Sequence, residues 1–160
     1  MQKALLLCVL SFACWQCKST SDPAPVPPIS TKTKTELLTS KNWKLTAATI
    51  NPAYDYFGQN RLITNIYAGL TGCQLSELQH YDLPNVLTIS NSCPNPGFTY
   101  LGPYKWTLSS NETVLTQVYA PYYADETYTI ETLTEDTLIL TQQPIKMGTA
   151  YTIRFTYTKQ

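Results

Sequence analysis

In YTIRFTYTK, residues 151–159, large apolar and hydroxylated side chains alternate without a break. Tyr151, Ile153, Phe155 and Tyr157 fall on one face, and Thr152, Arg154, Thr156 and Thr158 on the other. A period of two is what a strand with one buried and one wet face requires, and a helix cannot present it. The pattern recurs upstream. Tyr104, Trp106 and Leu108 oppose Lys105, Thr107 and Ser109; Tyr128 and Ile130 oppose Thr129 and Glu131; Leu138 and Leu140 turn inward in DTLILTQ. At the front of the series, NWKLTAATI sets Trp43, Leu45 and Ala47 on one face against Lys44 and Thr46.

Short polar breaks separate these runs. Ser110-Asn111 and Thr134-Glu135-Asp136 have hairpin-turn composition, and Pro144 to Thr149 makes a longer connection. The spacing predicts strands over about 42–50, 76–82, 85–91, 98–108, 113–119, 126–132, 136–143 and 150–158. The fold class is therefore all-β, an antiparallel up-and-down meander. About eight strands with one wet face tend to close into a barrel. Abundant Thr and 12 Tyr suit pleated, half-buried surfaces. Thr33 and Glu36 have capping-box spacing before Leu37-Leu38, which predicts a short N-terminal helix that plugs one end of the barrel. Residues 51–72 lack alternation and read as one or two helical turns or a lid.

The front of the chain is of another kind. Residues 1–17, MQKALLLCVLSFACWQC, place Lys3 before an uncharged run of about a dozen residues, the length of a signal-peptide core and short of a membrane span. A cysteine closing such a core resembles a bacterial lipoprotein signal, in which that cysteine carries lipid. Cys14 follows Ala13, the small residue such a site takes; Cys17 gives the more usual signal length and begins the polar chain. Cys14 is taken as the anchor, with Cys17 as the alternative. Residues 18–33 carry Pro23, Pro25, Pro27 and Pro28 and form a semi-rigid tether. The domain proper is 34–160. In an exported domain, Cys73 and Cys93 suggest a disulfide whose loop would stabilise the fold by roughly 3 kcal/mol; the alternative is two buried thiols.

Eleven basic and eleven acidic residues give no net charge and no basic stripe, so nucleic acid is not an expected partner, and the membrane is reached through the N-terminal lipid alone. No Gly-rich phosphate loop or G-x-S-x-G elbow occurs, and His80 is the single histidine. It reads as a solvent-facing strand residue. The pairs Glu77 with Asp82, Asp125 with Glu126, and Glu135 with Asp136 read as solvated charges in turns or on outer positions. No catalytic residue, metal site or cofactor is expected, and the protein is not read as an enzyme.

Several segments in order resemble the small lipocalin-like lipoproteins of the Bacteroidota: LLTSKNWKLTA, NIYAGLTGC with a second Cys about 20 residues on, KWTLSSNETVLT, YTIETLTEDTLILT and YTIRFTYTK. The likeness spans 35–158. Lys41-Asn42-Trp43 lacks the glycine of the usual Gly-x-Trp, and Cys73 is followed by Gln74-Leu75-Ser76 where the family often has acidic residues. The resemblance implies a lipocalin-like barrel on a lipid anchor, facing the periplasm or held at the outer membrane of a bacterial envelope. The inward residues Trp43, Leu45, Tyr104, Trp106, Tyr128, Ile130, Leu138, Leu140, Tyr151, Ile153 and Phe155 would line a cup for a small apolar or amphipathic ligand, or else fill the barrel as core. The rival expectation is a structural or interaction lipoprotein working through its surface or the 51–72 loop, where Tyr54, Tyr56, Phe57 and Tyr67 could meet a protein.

Overall fold

The computed structural model describes residues 31–90, 103–119 and 124–160. The signal (Cys14 and Cys17 included), residues 18–30 of the tether, Cys93, and the front of the strand expected from residue 98 lie outside the described residues. In chain order the elements are α1 (Lys34–Thr39), β1 (Asn42–Tyr54), β2 (Ile63–Asn65), a single 3-10 turn (Tyr67–Gly69), α2 (Gly72–Leu75), β3 (Leu78–Asp82), β4 (Val86–Ser90), β5 (Tyr104–Leu108), β6 (Val114–Val118), β7 (Glu126–Leu133), β8 (Thr137–Gln142), β9 (Ile145–Lys146), β10 (Thr149–Ala150) and β11 (Thr152–Lys159). Eight of the strands pair in the antiparallel order β11, β8, β7, β6, β5, β4, β3, β1, and β1 pairs back onto β11, closing the barrel. Closure leaves no free edge along the β1–β11 seam. β2 pairs with the far half of β1, beyond the reach of β3. β9 and β10 form a small separate hairpin between β8 and β11, with Met147 fully exposed at its tip.

The base of the barrel is closed by α1. Thr33 accepts from the Glu36 amide at 3.1 Å while Glu36 Oε2 accepts from the Thr33 amide at 2.7 Å, the reciprocal cap expected from the spacing. So fixed, the helix buries Leu37 and packs Leu38 among the inward side chains. Lys34 Nζ donates to the Glu112 carbonyl at 2.8 Å, Lys32 pairs with Glu135 at 2.8 Å, and Lys41 pairs with Glu135 at 2.9 Å. These contacts tie the helix and the chain beside it to the β5–β6 and β7–β8 turns.

The alternation holds along β3, β5, β6, β8 and β11, and bulges break it in β1 and β7. Leu45 lies opposite Tyr157 but Ala47 lies opposite Thr156, so Thr46 is an extra residue in the ladder. Past this bulge the inward positions are Ala48 and Ile50, not Ala47. β1 also runs on to Tyr54, further than its alternation reached. A second bulge leaves Glu131 unmatched in β7. Its carboxylate takes both Nε and Nη2 of Arg154, at 2.8 and 2.9 Å, on the outer surface.

Residues 51–72 contain the helical turns expected, but they also add β2. Ile66 is buried against Ala48, Ile50 and Ile153, with Phe57, Tyr67 and Leu70 around it. The segment thus covers inward-facing side chains at the upper ends of β1 and β11. No helix among the described residues is long and apolar enough to cross a membrane.

Candidate functional site

Register places the ends of the barrel. The turns after β3, β5 and β7, together with α1, make the base. Glu77, Tyr104, Tyr119, Glu126, Gln142 and Tyr151 stand at the other, upper end. From that end downward, alternate positions read Glu77 just ahead of β3, then Gln79 and Tyr81; Tyr119 just past β6, then Gln117 and Leu115; and the exposed Glu126, then Tyr128 and Ile130 on β7. Carboxylate or phenol comes first, amide or phenol next, and the deepest level on β6 and β7 is apolar.

The deep level is packed solid. Trp43, Leu87, Leu115, Leu138 and Leu140 have no measurable solvent exposure, and the Tyr81 and Trp106 rings meet edge to face at 5.8 Å. Both buried indoles spend their N–H on backbone. Trp43 Nε1 donates to Leu38 O at 2.9 Å, and Trp106 Nε1 to Asp82 O at 3.0 Å.

Above it lies a polar layer. Gln117 is 1% exposed and Gln79 8%. Tyr81 Oη donates to Gln79 Oε1 at 2.9 Å and accepts from Gln117 Nε2 at 2.5 Å, and Gln117 Nε2 also reaches Gln79 Oε1 at 3.3 Å. Tyr119 Oη donates to Gln117 Oε1, and Tyr128 Oη to Glu126 Oε2. Among the described residues no buried side-chain nitrogen or oxygen lacks a partner. Buried amides cost stability unless they are satisfied in this way.

The rim is aromatic and acidic. Tyr104 and Tyr119 stack edge to face at 4.8 Å, and Tyr128 meets Phe155 at 5.9 Å. Burial pushes the phenols of Tyr119, Tyr128 and Tyr157 well above the ordinary tyrosine range. The negative charge of Glu126 adds to this at all three, and that of Glu77 at Tyr119 and Tyr157. Tyr56 is raised as well, by burial and then by Glu126, which brings the 51–72 segment into the same field.

The expected cup residues divide by depth. All eleven are buried or half-buried on the inward face. Trp43, Trp106, Leu138 and Leu140 belong to the packed floor, whereas Tyr104, Tyr128, Tyr151 and Ile153 stand nearer the upper end. Glu126 is exposed, as expected of a solvated charge, but its Oε2 accepts from the buried Tyr128 phenol, and Glu77 is half-buried. Each stands two residues before an inward neighbour, Gln79 and Tyr128, Glu77 just ahead of β3 and Glu126 at the first position of β7. Gln79 and Gln117 carried the same signal, hidden because a polar residue on an apolar face reads as an interruption.

The remaining candidates lie elsewhere. His80 is on the outer face, its Nε2 2.9 Å from Asp82 Oδ1 and its Nδ1 3.2 Å from Lys41 O. Cys73 lies in α2 on an exposed position. Among the described residues no group of three or more His, Cys, Asp or Glu is arranged to hold a metal. A pocket of about 110 Å³ opens between Asp55, Phe57, Arg61 and Ala68, room for a few waters and well below the few hundred Å³ of a typical small-molecule site. Comparison with protein-family models and with curated proteins finds no match to this chain.

Proposed function

We propose that this chain is an exported, lipid-anchored lipocalin-like protein of a bacterial envelope, akin to the lipoproteins of the Bacteroidota it resembles, and that it binds a small amphipathic molecule at the upper end of its barrel. The proposed role is binding, without catalysis. The observation that carries the reading is the amide layer. An interior selected for stability alone does best apolar, since replacing satisfied buried polar groups by apolar ones of the same shape is close to neutral or stabilising. Gln79 and Gln117, buried beneath a phenol and carboxylate rim, are the departure from local rules that functional sites show. The packed floor sets the depth: a ligand reaches the tyrosine and amide levels and stops above Leu115 and Leu138.

The anchor reading rests on the N-terminal segment, with Cys14 as lipid carrier and Cys17 as alternative. A Cys73–Cys93 disulfide belongs to the same oxidising compartment. Native mass spectrometry of protein purified from its own host tests the binding: a reproducible added mass of a few hundred daltons supports it, and its repeated absence removes it in favour of a surface interaction through residues 51–72. Fatty-acid labelling of Cys14→Ser and Cys17→Ser variants tests the anchor. Full labelling of both variants would count against it.

A further inference from the structure

We propose that the upper end of the barrel docks on a phospholipid bilayer, with Ile145 and Met147 of the β9–β10 hairpin and Leu62 entering the interface. This rests on the lipid-anchor reading and adds to it which end of the barrel the membrane meets.

Exposed apolar side chains gather at that end. Among the described residues the large exposed hydrophobics are Tyr56, Leu62, Leu83, Ile145 and Met147, and all except Leu83 lie beyond the upper ends of β1, β8 and β11. Leu62 and Ile145 are 71% and 72% exposed, and Met147 completely so. Two segments carry them, 55–62 and 145–150, and their roots meet. Tyr151, at the foot of the hairpin, has its ring centroid 4.8 Å from that of Tyr54, and Tyr54 lies opposite Ile63 in the β1–β2 ladder. Apolar tips above half-buried phenols follow the order of a membrane interface, where amphipathic rings sit at head-group level and aliphatic side chains go deeper.

The charges there suit a bilayer without demanding an anionic one. Lys146 stands between Ile145 and Met147, and Arg61 beside Leu62. A long basic side chain in such a place lays its stem along the apolar layer and keeps its head in water. No acidic residue lies between Gln142 and Tyr151. Asp55, Glu77, Asp125 and Glu126 stand at the same end and outnumber the two cations, so apolar insertion drives the contact.

Size and reach favour a bilayer over a protein. Four exposed apolar residues are far fewer than the roughly 20 a side of a stable protein interface. A chain already held at a membrane needs only a weak second contact, because one lipid and a few inserted side chains act together. The described chain begins beside α1, at the base. Residues 18–33 read as an extended tether of roughly 50 Å. The eight residues of β11 span about 26 Å, so the tether is long enough for the barrel to turn its upper end to the membrane.

The test uses mature protein purified from its own host and incorporated into vesicles of brominated phosphatidylcholine, as the parent, Met147→Trp and Leu83→Trp. Emission lost to the bromines is read as the gain over the parent. Met147→Trp is expected to be quenched several-fold more than Leu83→Trp, which sits at the base, and salt raised to about 0.5 M is expected to change neither. No gain at Met147→Trp, or an equal gain at both, overturns the inference and leaves the anchor standing, since the protein still sediments with the vesicles. Loss of the Met147→Trp signal in salt overturns apolar insertion. A Met147→Trp indole shielded from acrylamide before any vesicle is added assigns the patch to a second copy of the chain and overturns the inference as well. Protein that stays in the supernatant, with Met147→Trp unquenched, overturns the inference and the anchor reading together.

Discussion

The indole Nε1 of Trp43 donates to the backbone carbonyl of Leu38 at 2.9 Å, so the first strand of the barrel holds the helix that closes its base. Trp43 has no solvent exposure and packs in the main core with Leu38. One side chain therefore serves as floor, core and C-terminal partner of α1.

Trp43→Ala is expected to destabilise the protein by about 3–5 kcal/mol, the range for truncating a large buried ring. Trp43→Phe keeps most of the ring and strands the Leu38 carbonyl, for a smaller loss of about 1–3 kcal/mol. Urea unfolding followed by far-UV circular dichroism measures both. Equal losses for the two variants would show that the hydrogen bond, not the volume, dominates.

Gln117→Leu is expected to cost about 1–3 kcal/mol despite the gain in hydrophobicity, because Tyr81 and Tyr119 lose their amide partner in a buried layer. Thermal unfolding checks the sign. A variant more stable than the parent would mean that water or rearranged side chains satisfy the phenols.

Glu135 gives the acid limb of stability a definite shape. Hydrogen bonds from Lys32 and Lys41 lower its carboxyl from 4.5 to about 2. The folded state thus favours the ionised form. That contribution is complete above about pH 4.5 and is lost as the pH falls toward 2. Glu135→Gln is expected to flatten the decline of Tm across this window and to leave the slope above pH 5 alone. An unchanged acid limb would show that the two lysines do not hold the carboxylate in solution.

The buried phenols act at the alkaline end. Burial raises Tyr81, Tyr119, Tyr128 and Tyr157 above the ordinary value of 10.0. Their neutral forms favour the folded state, so this contribution is full below pH 10 and falls away as the pH rises past it. Absorbance at 295 nm is expected to show exposed tyrosines ionising first and these four only as the barrel unfolds. All 12 tyrosines ionising near pH 10 in a protein still folded by circular dichroism would contradict the buried layer.

Gly69 lies against the ring of Phe57, and a Cβ there would collide with Phe57 Cε2. Gly69→Ala is expected to push Phe57 aside and loosen the 51–72 cover, at a cost of about 1–3 kcal/mol. Limited proteolysis across 51–72 should speed up in the variant. An unchanged rate would mean that the ring swings away freely.

Much of this architecture was legible in the alternation. The faces of Tyr104, Trp106, Tyr128, Leu140, Ile153 and Tyr157 were readable because side-chain direction in a strand is local, reversing at every residue whatever the rest of the chain does. The capping box of Thr33 and Glu36 was readable for the same reason. The inward direction of Ala48 was not. It depends on the bulge at Thr46, which the pairing of β1 with a strand more than a hundred residues away accommodates. Residues 51–72 were half readable: short helical turns have local signals, but β2 exists only because β1 overruns β3 and offers it an edge.

The candidate site shows the same division. Chain order and period alone determined that Glu77 stands in step with Gln79 and Tyr81, and Glu126 in step with Tyr128, since both relations span two residues. Only closure of the barrel decided that these two carboxylates share one end with Tyr119, and that the lysines beside α1 go to the other. Strand pairing between distant segments sets which charges share an end, and the low-dielectric interior created by that pairing is what gives their proximity an energetic consequence.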